Sequence, residues 1–326
     1  MVARLLTRKP AFRGIRPFNA AQDMYGVAHL LEEAFRPDHN FPFANVPFLR
    51  QVGITLWTLS YAPGFPDTPD GFVWIEEGKI VGNVTLTRDQ KEATRYYVSN
   101  VAVKHQYRRQ GIARAMMQAT IEHVRQLGGH KILLNVRPNN PGAIQLYRDL
   151  GFHALETRGE WSLSAIPSHL PSMETTGVRP LKSSDARAVS ELLHAAIPEH
   201  IRSFRIERTP FELPWEEQIG EALVDFLMRQ SSQRWGLERD ARLAALVFVQ
   251  RRQWGSPHKI AIQVHPDFRG YVEEALVVFA LQKLSGLTPH AVRAEASSTQ
   301  PELVNTLERF GFQFLNGLTL MELDLK

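Results

Sequence analysis

The strongest constraint on the fold of this chain of 326 residues is that the chain repeats its own plan. Motifs of the first half recur in the second at offsets of about 160 residues, which predicts duplication of a whole domain. The pairs are Gly14-Ile15-Arg16-Pro17-Phe18 with Gly177-Val178-Arg179-Pro180-Leu181, Val103–Arg108 with Val264–Arg269, and Gly151-Phe152 with Gly311-Phe312. We expect two domains, 1–166 and 167–326, with the linker in the Ser-, Pro- and Thr-rich segment 164–176.

Apolar residues recur with the periods of both strands and helices, which predicts an α/β fold. The Glu77-Gly78 pair predicts a tight turn between two strands, and the second half repeats the order of the first less clearly. In the first half we predict strands at 12–17, 71–76, 79–88, 95–103, 131–136, 152–157 and 160–164, and helices at 20–35, near 46–58, 112–127 and 141–149.

Residues 104–113 form a basic, glycine-containing loop between a predicted strand and a predicted helix. Gly111 lets the backbone approach an anion where a Cβ would collide, and Ala113 is small enough for the helix to sit close to the same group. The free N–H groups of the first helical turn and the positive end of the helix dipole favour phosphate, as do the charges of Arg108 and Arg109. An ordinary surface turn with solvated arginines is the alternative. The dinucleotide and P-loop glycine motifs are absent from the loop.

A second block lies downstream of the loop and its helix, and together with the loop it resembles the GCN5-related N-acetyltransferase (GNAT) family over residues 12–165. The residues of this block that carry the resemblance are Asn140, Ala143, Leu146-Tyr147 and Gly151-Phe152. The resemblance implies two tandem GNAT-like domains, each with a central mixed, largely antiparallel sheet flanked by helices.

The resemblance also implies acetyl-CoA as the acyl donor and assigns residues to it. The loop would hold the pyrophosphate through Arg108, Arg109, Gln110, Gly111, Ile112 and Ala113. The preceding strand would pair with the pantetheine through Val101, Ala102 and Val103, and Asn140 and Ala143 would contact the cofactor further on. Tyr147 would protonate the departing thiolate, although a core aromatic residue is the alternative at this position.

The chemistry that this implies is direct attack of an amine on the thioester in a ternary complex. It needs no protein nucleophile, which agrees with a chain that contains no cysteine. A backbone N–H of residues 101–103 is a candidate donor to the oxyanion. The general base stays open: Tyr97 stands where some members have glutamate, and Ser99, Asn100, His39 and solvent are the other candidates. The aromatic residues of the segment 36–70 that are candidates to line the acceptor site are Phe41, Phe43, Phe48 and Trp57.

The second copy of the loop lacks the features that an anion needs. Val272 aligns with Gly111, and Glu273 and Glu274 put negative charge at the start of the helix. Leu307 aligns with Tyr147, so the proton donor is missing as well. We therefore expect only the first domain to bind CoA.

Composition narrows the remaining classes. A hydrophobic content of 44% and a charged content of 22% predict a soluble globular protein, and the chain has no apolar run long enough to span a membrane. The net charge of +4 is too small to argue for nucleic acid, and the histidines lack metal-ligand spacing. We expect a cytoplasmic monomer or homodimer that acts on an amine of a small molecule or peptide and needs no metal. The alternative is a non-catalytic acyl-CoA-binding or regulatory protein.

Overall fold

A computed structural model describes residues 12–35, 70–202, 230–252, 256–285 and 291–325. The predicted helix near 46–58, the four aromatic candidates of the acceptor site and His39 lie outside these ranges. No helix within the described residues is long and apolar enough to cross a membrane.

Strands and helices follow the same order in the described residues of both halves, apart from one additional short helix, Glu199–Arg202, in the second half. The first half contains β1 (Gly14–Pro17), α1 (Ala20–Phe35), β2 (Asp70–Glu76), β3 (Lys79–Arg88), β4 (Arg95–Val103), α2 (Ile112–Gln126), β5 (Lys131–Val136), α3 (Pro141–Asp149) and β6 (His153–Leu163). The second half contains β7 (Val178–Pro180), α4 (Ala186–Ala196), α5 (Glu199–Arg202), β8 (Ser231–Arg239), β9 (Arg242–Arg251), β10 (His258–Val264), α6 (Glu273–Leu284), β11 (Val292–Ser297), α7 (Pro301–Arg309) and β12 (Gln313–Asp324). Short 3₁₀ turns precede α2, α4 and α6.

These elements form two compact units whose boundaries differ from the predicted domains 1–166 and 167–326. The first unit consists of residues 1–136, 140–154 and 320–326, and the second of residues 137–139 and 155–319. Most of β6 therefore belongs to the second unit, and the last part of β12 belongs to the first. The predicted linker 164–176 carries neither helix nor strand, but the division falls before it because β6 pairs antiparallel with β11.

Each unit contains a mixed sheet, which confirms the predicted fold class. In the first unit the order is β1-β2-β3-β4-β5, followed by the end of β12. In the second it is β7-β8-β9-β10-β11-β6, followed by the start of β12. The pairings of β4 with β5 and of β10 with β11 are parallel, and the other registered pairs are antiparallel.

The predicted elements agree with the structure within two residues at most ends, with one difference in strand number. Strands predicted at 152–157 and 160–164 are one continuous strand, β6, whose residues 158–163 pair with β11 without interruption. The Glu77-Gly78 turn is confirmed, since both residues have a positive φ. Helix α2 ends as predicted, with Gly128 in the left-handed conformation just past its last turn.

The repeated Gly-x-Arg-Pro motif has the same role in both units. Arg16 donates two hydrogen bonds of 2.6 Å to Asp23 of α1, and Arg179 donates bonds of 2.7 and 2.9 Å to Asp185 before α4. Hydrogen bonds from Arg179 lower the pKa of Asp185 to about 2. In each unit this two-pronged pair fastens the first strand to the first helix.

Helix α2 packs closely against the sheet of the first unit at Gly82. A Cβ on Gly82 would lie 2.9 Å from the Cε of Met116 and 3.2 Å from Ile112. The buried face of α2 also includes Met117, Ile121 and Val124. This close approach places the first turn of α2 directly beside the end of β4.

The last residues of the chain complete the core of the first unit. Met321 is fully buried and Leu323 nearly so, within the cluster that contains Met116, Ile132 and Phe152. Glu322 pairs with Lys131 of β5 at 3.1 Å, and the Leu325 N–H donates to the carbonyl of His130 at 2.8 Å. The first unit thus depends on a strand that is about 190 residues away in sequence.

We predict that Met321→Ala destabilises the first unit by about 2–5 kcal/mol, because it leaves a cavity in that core. Hydrogen exchange should accelerate at the amides of α2 and β5 and stay unchanged in β9 and β10. Leu318→Ala is the matched control, since Leu318 lies on the same strand and is 46% exposed. Equal effects of the two substitutions, or faster exchange confined to the second unit, would contradict the assignment of this strand.

Candidate functional site

The candidate site begins where β4 separates from β5. The two strands pair in parallel from Arg95 with Lys131 to Val98 with Leu134, and the pairing stops there. The remaining residues of β4 stay paired only with β3. A strand edge that is not paired with another strand therefore lines an opening between the ends of β4 and β5.

A bulge in β4 lies at the start of this opening. The pairing of β3 with β4 changes register between Asn83, opposite Ala102, and Thr85, opposite Ser99. Asn100 takes a positive φ of 52° within the bulge. Buried Asn83 donates from Nδ2 to the carbonyl oxygen of Asn100 at 3.0 Å and to Oγ1 of Thr85 at 3.2 Å. A bulge re-aims the backbone, here next to the opening.

The predicted anion nest follows the end of β4. Arg109 and Gly111 both take positive φ values, 64° and 80°. Gly111 is the residue that precedes the first turn of α2, and no side chain caps that turn. A Cβ on Gly111 would meet no atom within 4 Å, so the space beside this glycine is open. Ile112 is buried under the turn, and Ala113 is half-buried beside it. This arrangement fits a phosphate group.

The two arginines of the loop leave positive charge at this nest. Arg108 is exposed, and its Nε donates to the carbonyl of Val103 at 3.0 Å, which holds the guanidinium beside the strand end. Arg109 is exposed as well, and neither arginine has a carboxylate partner among the residues that the structure describes. Arg114, one turn further along α2, is instead paired with Asp149 at 2.5 Å. Gln110 donates to the carbonyl of Gln106 at 3.3 Å.

The second predicted block supplies α3, with Asn140 at its start. The Oδ1 atom of Asn140 accepts a bond of 3.2 Å from the Ala143 N–H, so both residues serve the helix cap. The Nδ2 group of Asn140 remains available, because the side chain is exposed. Any contact of Ala143 with a cofactor must come from its methyl group, since its N–H is taken.

Tyr147 is buried on α3, and its ring lies 5.9 Å from that of Phe152. No described residue hydrogen-bonds its hydroxyl, and burial raises its pKa to about 12. The ring belongs to the apolar cluster that also includes Ile112, Val101 and Val103. The structure therefore brings the predicted proton donor, the strand and the start of α2 to the same face of the sheet.

Ala102 lies on the other face. Its side chain packs with Val27, Leu30 and Leu31 of α1, and its backbone stands opposite Asn83. Of the three residues assigned to the pantetheine, Val101 and Val103 thus present their side chains to the cluster of Tyr147.

Tyr97, at the position where some members have a glutamate base, lies in the paired part of β4. Burial raises the pKa of its hydroxyl to about 12, while the neighbouring charges of Arg95 and Asp89 act in opposite directions. Arg95 is almost fully buried and bonds Asp89 at 2.5 Å. A hydroxyl with this pKa is a poor base at neutral pH. Ser99 is exposed beyond it, and Asn100 forms the bulge.

In the second unit the equivalent nest is filled by the protein itself. Oε2 of Glu273 accepts bonds from the N–H of Gly270 at 2.9 Å and from the N–H of Val272 at 3.2 Å. Glu273 is only 3% exposed. Arg269, the counterpart of Arg108, turns to the carbonyls of Thr299 and Ala196. A carboxylate thus occupies the place that a phosphate would take.

The counterpart of β4 in the second unit, β10, differs from it in its backbone and in its side-chain contacts. Gln300, which aligns with Asn140, donates to Gln263 of β10 at 2.7 Å. The pairing of β9 with β10 runs without a register shift from Lys259 to Val264. No described residue of β10 has a positive φ.

Sequence reasoning missed Asn83, Thr85 and the carboxylate in the second nest. The available signal for the first two was a pair of polar residues two positions apart in the otherwise apolar run Ile80–Leu86. For Glu273 the sequence predicted repulsion of a phosphate, whereas the structure adds that the carboxylate bonds the nest directly.

Comparison with known proteins agrees with this geometry. Residues 27–152 match the sequence model described as the acetyltransferase (GNAT) family. The chain is 31% identical over 83 residues to N-alpha-acetyltransferase 30 of Schizosaccharomyces pombe, covering 25% of this chain and 55% of that protein. It is 39% identical over 87 residues to the ribosomal protein bS18-alanine N-acetyltransferase of Escherichia coli, covering 27% of this chain and 57% of that protein. The chain thus spans little more than half the length of these curated relatives.

A solved structure matches the fold of the whole chain. The GCN5-related N-acetyltransferase from Sphaerobacter thermophilus aligns with a TM-score of 0.55 and 14% identity, covering 96% of this chain and 95% of that one. The segment 27–152 is a domain of the acetyltransferase (GNAT) family. The family that the loop and the Asn140–Phe152 block predicted is therefore confirmed.

We predict that Glu273→Ala destabilises the second unit, because the buried N–H of Val272 loses its acceptor at about 1–3 kcal/mol and the more exposed N–H of Gly270 loses its acceptor as well. Hydrogen exchange of the α6 amides should accelerate, and sulfate should slow it more in the variant than in the wild type. Glu274→Ala is the control, since Glu274 is 42% exposed and pairs only with Arg309 at 3.4 Å. A variant that is as stable as the control would show that the carboxylate does not hold the nest.

Proposed function

We propose that the chain is an N-acetyltransferase that moves an acetyl group from acetyl-CoA to a primary amine. The observation that carries the proposal is the open nest at Gly111, which lies at the end of the unpaired strand edge of β4. A diphosphate fits the free N–H groups and the charges of Arg108 and Arg109. An extended amide chain fits the edge formed by Val101 and Val103.

The acceptor that we favour is the α-amino group of a peptide or protein. The similar proteins are named for acetylation of N-termini and of a ribosomal protein alanine, which supports this class for a related domain. An amine of a small molecule is the other acceptor class. A cytoplasmic location and a monomeric or dimeric state remain predictions from the sequence.

The reaction that we propose is direct. The neutral amine nitrogen attacks the thioester carbonyl carbon, the oxyanion accepts a hydrogen bond from a backbone N–H of β4, and the C–S bond then breaks. The nitrogen loses one proton and the sulfur gains one, so amide and CoA thiol are the products. No protein nucleophile takes part.

The pKa of Tyr147 limits how its proton is used. A pKa of about 12 keeps the hydroxyl protonated at neutral pH. A thiol, with a pKa of about 8.5, is the stronger acid by roughly three units. Tyr147 therefore donates a hydrogen bond to the sulfur as the bond breaks. The hydroxyl transfers its proton to the sulfur only if it receives a proton from the amine nitrogen at the same time.

A non-catalytic acyl-CoA-binding protein is the second candidate. The observation that favours it is Tyr97, which stands at the place of a glutamate base and has a raised pKa. The two candidates share the CoA site and differ only in turnover.

We predict that each chain binds one CoA, in the first unit, as measured by titration calorimetry. Gly111→Ala should weaken binding roughly tenfold or more, because its Cβ enters the space of the phosphate. Gly128→Ala is the matched control: Gly128 lies at the other end of α2, has a φ of 72° and equally free space. Two bound CoA molecules per chain would contradict the claim that Glu273 fills the nest of the second unit. Equal effects of Gly111→Ala and Gly128→Ala would contradict the claim that the nest at Gly111 binds the phosphate.

We predict that Tyr147→Phe lowers kcat for acceptor-dependent thiol release about a hundredfold and leaves CoA affinity unchanged. The acceptors are peptides with free N-termini, the same peptides with blocked N-termini and free lysines, and a panel of small amines. Release only with free N-termini supports the favoured acceptor. Absence of release with every acceptor, in a protein that binds one CoA, would replace the enzyme proposal with the binding one.

A further inference from the structure

We propose that Asn83 is a positioning residue that aims the Val101 N–H into the opening between β4 and β5. The inference rests on the proposed acetyl transfer, for which it names the donor to the thioester oxygen. The juxtaposition that carries it is buried Asn83 of β3 against the bulge peptide of β4, with Nδ2 3.0 Å from the carbonyl oxygen of Asn100.

The first step follows from the planarity of the peptide group. The carbonyl of Asn100 and the N–H of Val101 belong to one peptide unit, and in a trans unit they point in opposite directions. The structure has no cis peptide bond among its described residues. Because Asn83 draws the carbonyl toward β3, the N–H of Val101 points away from β3. That is the side on which β4 no longer pairs with β5.

The second step concerns how firmly Asn83 holds this orientation. Asn83 is 1% exposed, and its Nδ2 group bonds both the Asn100 carbonyl and Oγ1 of Thr85. A buried amide donor without a partner is costly, so rotation of the peptide would leave this amide and the carbonyl unsatisfied together. The Asn100 side chain adds a longer bond of 3.4 Å to the same Thr85 oxygen.

The chain contains its own comparison in the second unit. Leu246 of β9 stands opposite Gln263 of β10, as Asn83 of β3 stands opposite Ala102 of β4. Phe248 then takes the place of Thr85. In that unit the strands pair without a bulge, and no described residue of β10 has a positive φ. The first unit thus has both the bulge and the polar pair Asn83 and Thr85 on the neighbouring strand, and the corresponding strands of the second unit, β9 and β10, have neither.

An N–H held in this direction can donate to the thioester oxygen before attack and to the oxyanion after it. A donor that is fixed in advance costs no reorganisation during the reaction, and loss of one such donor typically lowers kcat by about 10²–10³-fold. Asn83 itself does not reach the reacting atoms. Its substitution misdirects the donor without removing it, so a smaller loss is expected.

The kinetic test uses Asn83→Leu, which places in β3 the residue that β9 has. We expect kcat to fall about 10–100-fold, with the dissociation constant of CoA within twofold of the wild type. Thr120→Val is the matched control, since buried Thr120 also donates to a backbone carbonyl, that of Met116 at 2.9 Å, but lies within α2. Equal losses of kcat in both variants would show that only stability is affected and would overturn the proposal.

A second readout separates this inference from the proposed enzyme activity. Acetyl-CoA carries a thioester carbonyl, which CoA lacks. The Val101 amide resonance of the wild type should therefore differ between the acetyl-CoA complex and the CoA complex. The difference should vanish in Asn83→Leu and in Asn83→Ser, which keeps a polar side chain but removes the amide donor. If the wild type shows this difference in the Val101 resonance but no turnover, the enzyme proposal is contradicted and the inference about Asn83 still holds. A Val101 resonance that is the same in both complexes, or a difference that survives both substitutions, would overturn the inference.

Discussion

The loss of pairing between β4 and β5 beyond Val98 is the constraint on which the site depends. The bulge at Asn100 turns β4 locally, and β4 resumes its pairing with β3, as the bond of 2.8 Å from the Lys104 N–H to the Val81 carbonyl shows. The strand is therefore held along one edge and open along the other. An open edge inside a domain is a site for another extended chain, and it leads straight into the nest at Gly111.

The two nests show one physical demand met in two ways. Free N–H groups and the dipole at a helix start favour an anion, whatever its source. In the second unit the carboxylate of Glu273 supplies it from within the fold. In the first unit the N-terminal glycine of α2 offers no side chain, and the arginines add positive charge. The same backbone device is thus satisfied internally once and left open once, which is the basis for a single proposed CoA site.

The nest of the first unit could be predicted because it depends on residues that are close together in the sequence. The features that depend on pairing between distant strands could not be predicted. The roles of Gly111 and the arginines and the ends of α2 can be predicted from the requirements of a tight turn and of a helix start. Residues close together in the sequence are enough for that prediction. The Asn140–Phe152 block could be assigned by resemblance, but its geometry shows that Asn140 caps α3. The role of Asn83 depends on the register of β3 against β4. A polar residue in an apolar strand does not reveal its partner until that register is known.

The assignment of the last strand makes the first unit depend on the second half of the chain. The neighbours of β12 in the sheet are set by contacts between residues far apart in the chain. Met321 and Leu323 belong to the core that holds α2, while β6 leaves the first half to pair with β11. Each half therefore supplies a terminal strand to the unit built mainly from the other half. The sheet that carries the open edge and the nest is complete only when residues 320–324 of β12 have been added. The second half contributes to the site through this strand, whether or not it binds a ligand of its own.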